Sequence, residues 1–284
     1  MPELASVNGC ITSIDDARIS INDRGLVFGD GVYEVIASYR GKLILFAEHL
    51  ARLRRSLDEI RMNYVDVQPI ADQITALFRQ SGFERAKIYL QVSRGEVPRE
   101  HAFPQPKVEP NVIITVREIH EDKADKLTHG VCCISRPDLR WGRVDIKTIN
   151  LLPNCLAKQE AVENGCYEAI LIGNDGLVRE ATSANLYVVR GRTIWTHPCN
   201  ERILRGITRG LLLELMRKAG LPFREDAVTL SEMYQADEAF LSGTTTEVLP
   251  VVKIDDRVIG QGVPGPATRR LIQLYQEWLE LTVG

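Results

Sequence analysis

Apolar residues recur along this chain at two spacings, and the two alternate in a way that outlines mixed secondary structure. Val7-Asn8-Gly9-Cys10 carries Asn-Gly, the strongest short hairpin signal. A second hairpin is predicted from Val35-Ile36-Ala37-Ser38-Tyr39 through Arg40-Gly41-Lys42 to Leu43-Ile44-Leu45-Phe46. Leu50, Leu53, Leu57 and Ile60 then fall at helical spacing, as do Ile70, Ile74 and Leu77. Ile88, Leu90 and Val92 alternate within 86–93, which predicts a strand, and 112–116 predicts another.

The stretch 120–126, His-Glu-Asp-Lys-Ala-Asp-Lys, lacks apolar periodicity and is expected as surface linker. An apolar strand is predicted around 131–134. Pro153 to Asn164 reads as a helix with proline in its first turn and Gly165 at its end. Residues 167–172 and 186–189 read as buried strands. A helix is expected from Gly206 towards Ala219, with Gly220 closing it. Leu271, Leu274, Tyr275 and Trp278 mark a C-terminal helix. The expected organisation is an N-terminal α/β domain over 1–120, a linker over 121–127 and a second domain over 128–284. The fold class is mixed α/β, or α+β, because strands and helices do not alternate as a doubly wound sheet requires.

Composition narrows the function classes without choosing one. The 284 residues are 44% apolar and 26% charged, enough for one or two substantial cores. Thirty-five basic against 38 acidic side chains leave a net charge of −3, which favours neither nucleic acid nor an anionic membrane. No apolar run approaches the roughly 18 residues of a membrane span, and the first residues lack a signal-peptide pattern. The six cysteines show no CxxC and no metal spacing, so they read as reduced, mostly buried thiols of a cytoplasmic protein.

Several residues are candidates for chemistry. Lys147 lies in an apolar setting, Val144-Asp145-Ile146-Lys147-Thr148-Ile149. Burying it charged is costly, and an uncharged amine forms an imine with an aldehyde cofactor. Taken alone, such a lysine more often reaches out to solvent. Glu180 follows an Asn-Asp-Gly turn and precedes an apolar strand. A carboxylate there suits a protonated ring nitrogen, or is a plain surface glutamate. Gly206-Ile207-Thr208 opens a helix and Gly243-Thr244-Thr245-Thr246 is a small-residue turn. Both suit a phosphate, and both also suit ordinary capping. Arg52, on the face after His49, offers a bidentate contact or a solvated helix position. Arg99 and His101, two apart in a loop, aim the same way if the loop is extended. Gly29-Asp30-Gly31 begins like a dinucleotide fingerprint. Glu34 stands in the third glycine's place and an apolar strand pattern follows, so that reading is rejected.

In their order and spacing these segments resemble the fold-type IV enzymes dependent on pyridoxal 5'-phosphate. The resemblance is carried by Asp23-Arg24-Gly25, Phe28-Gly29-Asp30-Gly31-Val32-Tyr33-Glu34, Glu48-His49-Leu50-Ala51-Arg52-Leu53 and Asp145-Ile146-Lys147-Thr148-Ile149-Asn150-Leu151-Leu152. It continues through Ala157-Lys158-Gln159-Glu160-Ala161, Gly165-Cys166-Tyr167-Glu168-Ala169-Ile170 and Gly206-Ile207-Thr208-Arg209, nearly the whole chain.

The resemblance implies a two-domain aminotransferase with Lys147 as the Schiff-base lysine and Glu180 as partner of the pyridine nitrogen. It implies a phosphate cup of Arg52, Ile207, Thr208, Gly243 and Thr244, with Leu204 against the ring. Gly243 stands where some relatives carry Ser, so the cup there is backbone. Within the family, Tyr33 with Arg99 and His101 resembles the carboxylate trap of the D-amino acid transaminase branch. Branched-chain enzymes more often read Phe-Glu-Gly-Ile-Arg where this chain has Tyr33-Glu34-Val35-Ile36-Ala37. The branch implies exchange of amines between a D-amino acid and a 2-oxo acid in a homodimer, each trap completed by its neighbour's Arg99 and His101. L-branched-chain transamination, aminodeoxychorismate lyase activity and a non-catalytic binding protein are the alternatives.

Overall fold

In the computed structural model, which describes residues 3–284, the chain forms two compact units. The first runs to His120 and also takes in Ile146–Asn150; the second consists of Glu121–Asp145 and Leu151–Gly284. Each unit has its own sheet and its own buried apolar cluster.

The first unit is built on a six-stranded antiparallel sheet. Its strands lie in the order Cys10–Ser13, Leu4–Val7, Asn111–Glu118, Ala86–Ser93, Gly31–Tyr39 and Lys42–Leu43. Asn8-Gly9 makes the first hairpin turn as expected, with both residues at positive φ. The helices Phe46–Glu59 and Gln68–Ser81 supply Leu53, Leu57, Ile70, Ile74 and Leu77 to the core, where they meet Ile88, Leu90, Val92 and Ile114 of the sheet. The second predicted hairpin is shorter than its apolar run suggests. Its return strand is only Lys42–Leu43, and Leu45 at φ +51 turns the chain directly into the helix at Phe46. Four apolar residues in a row do not distinguish a strand from a helix entry.

The second unit holds a nine-stranded mixed sheet among the described residues. Val131–Pro137 lies parallel to both Glu247–Ile254 and Glu168–Ile172, while Asn185–Arg190, Glu238–Gly243 and Glu247–Ile254 run antiparallel in succession. The helices Leu152–Glu163, Ile207–Lys218 and Pro266–Val283 match the predicted ones to within a residue or two where the sequence marks their ends.

Two expectations are corrected. The stretch 121–127 is not a linker: it belongs to the second unit, Ala124–His129 is helical, and Lys123, almost fully buried, bonds Glu247 at 2.6 Å. A lysine in a charged stretch packs when a distant carboxylate meets it, and that partner lies 124 residues away. The cysteines are all free, but only Cys133 is buried; Cys10 and Cys155 are exposed. Strand alternation puts Cys132 and Cys133 on opposite faces, and Cys133 lies with Val131 in the larger apolar cluster of the second unit. Among the described residues no helix is long and apolar enough to cross a membrane.

Candidate active site

Lys147 sits in an irregular segment that adheres to the first sheet through its backbone. The Tyr33 N–H donates to the Lys147 carbonyl at 3.0 Å, the Ile149 N–H donates to Gly31 O at 3.2 Å, and Val32 bridges Thr148. Ile146 is buried in the core of the first unit, which fixes the segment from the other side. Gly29 is required here. It ends the short helix Arg24–Phe28 at φ +68, and a Cβ on it would stand 2.4 Å from Asn150 Oδ1. The half-buried Lys147 side chain makes no hydrogen bond or ion pair among the described residues. Its Nζ lies 4.0 Å from the ring centroid of Tyr33.

Next to this segment, Glu34, His49 and Arg52 form a buried polar cluster. Glu34 accepts from Arg52 Nε and Nη2, both at 2.7 Å, and from His49 Nδ1 at 2.8 Å. Burial by itself would raise the Glu34 carboxyl, but Arg52 and His49 overcome it and hold the group down at about 2. Burial pushes His49 below its ordinary value, against the pull of Glu34, and the Arg52 and Lys147 charges push the same way as burial. A neutral His49 bonded to a carboxylate through Nδ1 carries its proton on that nitrogen. Arg52 is therefore not the solvated helix arginine that its sequence position allows. Its Nε–Nη2 edge is taken by Glu34, which orients the guanidinium.

In the second unit, Glu180 lies in the strand Val178–Ala181 and is 4% exposed, so the surface-glutamate reading fails. Every polar contact it makes is with a donor. Arg140 Nη1 donates at 2.6 Å, Asn185 Nδ2 at 2.8 Å, and the Leu204 N–H at 3.0 and 3.1 Å to the two oxygens. Burial pushes the carboxyl above the usual glutamate value, while Arg140 and the Leu204 N–H pull it back towards the ionised form. Arg140 is itself fixed by Asp138 through Nε and Nη2, both at 2.9 Å.

Asn185 gathers the other small-residue turns around this carboxylate. Its Nδ2 also donates to Leu204 O at 3.0 Å, and its strand partner Ser242 immediately precedes Gly243. Gly206 packs so closely on it that a Cβ would stand 2.0 Å from Asn185 Oδ1. Gly206 begins the helix Ile207–Lys218 without a side-chain cap, leaving first-turn N–H groups for an outside acceptor. Thr208 in that turn is buried, yet its hydroxyl makes no hydrogen bond among the described residues. Gly243 and Thr244 form the corner of a hairpin closed by Gly243 opposite Glu247.

Arg99 and His101 lie in an exposed loop of the first unit. Both pack on the ring of Phe28, the Arg99 guanidinium carbon 5.2 Å and the His101 ring 5.3 Å from its centroid. The two side chains thus converge on one platform. Within the chain neither makes a hydrogen bond, ion pair or ring contact with Tyr33 or Lys147.

Residues 31–254 match the family Amino-transferase class IV. The chain is a class IV aminotransferase. It is 42% identical to the D-alanine aminotransferase of Bacillus licheniformis over 265 residues, covering 93% of each chain. It is 39% identical to that of Staphylococcus haemolyticus over 275 residues, 96% of this chain and 97% of the other. Among solved structures, the Escherichia coli branched-chain amino acid aminotransferase superposes with a TM-score of 0.88 at 26% identity. That match covers 96% of this chain and 93% of the other. A second branched-chain amino acid aminotransferase, from T.th. and solved with pyridoxamine 5'-phosphate, gives 0.87 at 28% identity over the same shares.

Class IV aminotransferases are enzymes that use pyridoxal 5'-phosphate, and the residues here suit that group. A buried carboxylate ringed by donors, a free-standing amine beside an aromatic ring and an uncapped helix start with an unpaired hydroxyl are the three features it needs. Of the residues around them, sequence patterns miss Glu34, Arg140 and Asn185. Arg140 reaches Glu180 across 40 residues and Glu34 meets Arg52 across 18, while Asn185 is only five residues from Glu180 but lies beyond its turn.

Proposed function

We propose that this aminotransferase moves amino groups between D-amino acids, D-alanine among them, and 2-oxo acids such as 2-oxoglutarate or pyruvate. The meeting of Lys147 Nζ with the Tyr33 ring carries the reading, since it sets the proton-moving amine beside a residue assigned to the carboxylate trap. The whole-length identity to D-alanine aminotransferases of 39–42% supports it over the branched-chain reading, whose structures share the fold at 26–28%.

Bound pyridoxal phosphate supplies an aldehyde for the substrate amine and a ring that accepts electrons from the α-carbon. Lys147 would hold the cofactor covalently through Nζ, and the same Nζ would take up the substrate α-proton and pass it on to the cofactor rather than return it to the α-carbon. Glu180, oriented by Arg140 and Asn185, would keep the pyridine nitrogen protonated. Arg52, the backbone at Ile207 and Gly243 and the hydroxyls of Thr208 and Thr244 would hold the phosphate, with Leu204 as the apolar neighbour of the ring. Tyr33, Arg99 and His101 bind the substrate carboxylate. Which side of the ring that carboxylate occupies decides whether a D- or an L-substrate offers its α-hydrogen to Lys147.

The functional unit in this reading is a homodimer in which Arg99 and His101 serve the neighbouring subunit. Exposed Ile21, Leu26, Leu152 and Leu156 give apolar surface for such an assembly. Six free cysteines suit the reducing cytoplasm as its location.

Because an arginine–carboxylate contact orients substrate, Arg99→Ala is expected to raise KM for D-alanine about tenfold or more and to lower kcat less. Steady-state kinetics check this, and D-alanine turnover with an unchanged KM removes Arg99 from the trap.

A further inference from the structure

Arg24 has no role in the site as built above, yet it is one of the most buried cations in the first unit, 3% exposed. Its Nε donates to Asp30 Oδ2 at 2.8 Å. Its remaining nitrogens turn to the loop that carries Arg99 and His101. Nη1 donates to Glu100 O at 2.5 Å and Ala102 O at 3.2 Å, and Nη2 to His101 O at 3.3 Å. One guanidinium thus collects three successive carbonyls. The planar fork of arginine does this; the single ammonium of lysine cannot reproduce its geometry.

The loop has little else to hold it. Residues 98–107 make no backbone-to-backbone hydrogen bond among the described residues, and no helix or strand contains them. The other restraints are rings. Arg99 and His101 lie against Phe28, Arg24 also stands over Phe28 at 4.8 Å, and Arg94 covers Phe103 at 3.6 Å. Arg94 shares the Asp30 carboxylate with Arg24, donating at 2.8 and 3.0 Å. The geometry is that of a fixed post, Asp30, holding two arginines that grip the loop from below.

We propose that Arg24 is a positioning residue for substrate recognition: through the carbonyls of Glu100, His101 and Ala102 it presents Arg99 and His101 to the substrate carboxylate. The proposal rests on the carboxylate-trap reading. Loss of the clamp leaves Arg99 and His101 chemically intact but misplaced, so binding suffers while Lys147 and its proton transfer do not.

The test compares Arg24→Lys, Phe28→Leu, Arg99→Ala and the double variant Arg24→Lys/Arg99→Ala in the pyridoxal phosphate-loaded enzyme with D-alanine. Arg24→Lys keeps a cation for Asp30, and Phe28→Leu keeps apolar volume while removing the ring platform. The expected result is a KM raised about tenfold in both, with kcat within about threefold and the cofactor absorbance band unchanged. The double variant should raise KM by clearly less than the product of the two single effects, because Arg99 is one of the two side chains the clamp presents. If Arg99→Ala raises KM while Arg24→Lys and Phe28→Leu leave it at the wild-type value, the clamp is refuted and the trap stands. Multiplying KM effects in the double variant also refute it. If Arg99→Ala leaves KM unchanged, the trap reading falls and the clamp falls with it.

Discussion

Lys147→Ala should remove at least about 10²- to 10⁴-fold of the amine-transfer rate, the range that a positioned proton-transferring group supplies. The loss of covalent attachment adds to that. The same change should barely alter stability, because what the fold takes from this residue is its backbone. The Tyr33 N–H still reaches the residue 147 carbonyl, and the Lys147 N–H lies 3.4 Å from Ser56 Oγ whatever the side chain is. The side chain contributes one cation–ring contact with Tyr33, worth roughly 0.5–1 kcal/mol at a half-exposed site. A single-turnover reaction of loaded enzyme with D-alanine, followed by the cofactor absorbance, measures the first effect, and a thermal melt measures the second. A rate within tenfold of wild type would take Lys147 out of the chemistry. A collapse of the melting temperature would make it a structural lysine.

Glu34→Gln should act the other way, mainly on stability. The carboxylate neutralises Arg52 inside the first unit, and removing one partner of such a buried pair costs roughly 3–5 kcal/mol. For a chain of this size that is about 10 °C of melting temperature. The pH dependence has a definite sign. Glu34 is held at about 2 in the fold against 4.5 for a free glutamate. Its contribution is therefore complete above pH 4.5 and is lost as pH falls through about 2. His49 is held below 6.5 by burial, so it too favours the folded state above that pH and withdraws its contribution as the solution is acidified. Wild type should lose stability steeply between pH 4.5 and 2, and Glu34→Gln should start lower and lose less over that window. Denaturant unfolding at a series of pH values tests this. Parallel curves for the two proteins would mean that the Glu34–Arg52 pair is not coupled to folding.

Much of the fold is legible in the sequence, because its signals are local. The spacing of Leu50, Leu53 and Leu57 marks a helix, the alternation of Ile88, Leu90 and Val92 marks a strand, and Asn8-Gly9 marks a turn. What stays hidden depends on partners far apart. Lys123 looks like solvent-facing charge until Glu247 meets it across 124 residues, and Glu180 looks like a surface glutamate until Arg140, Asn185 and Leu204 enclose it. The segment Ile146–Asn150 packs with the first unit although it follows part of the second in the chain, and no pattern within five residues encodes that. The site residues emerge from the order of whole motifs rather than from any one of them. Asp23-Arg24-Gly25 has no role of its own in that order, since the carbonyls Arg24 serves lie 76 to 78 residues later.

The central claim, that this class IV aminotransferase takes D-amino acids, is tested most directly by supplying the pyridoxal phosphate-loaded protein with D-alanine or L-leucine. The transfer of the amino group to 2-oxoglutarate is then measured in each case. Glutamate formed from D-alanine and not from L-leucine is the predicted result, whereas turnover of L-leucine alone would keep Lys147 and the fold and contradict the trap of Tyr33, Arg99 and His101.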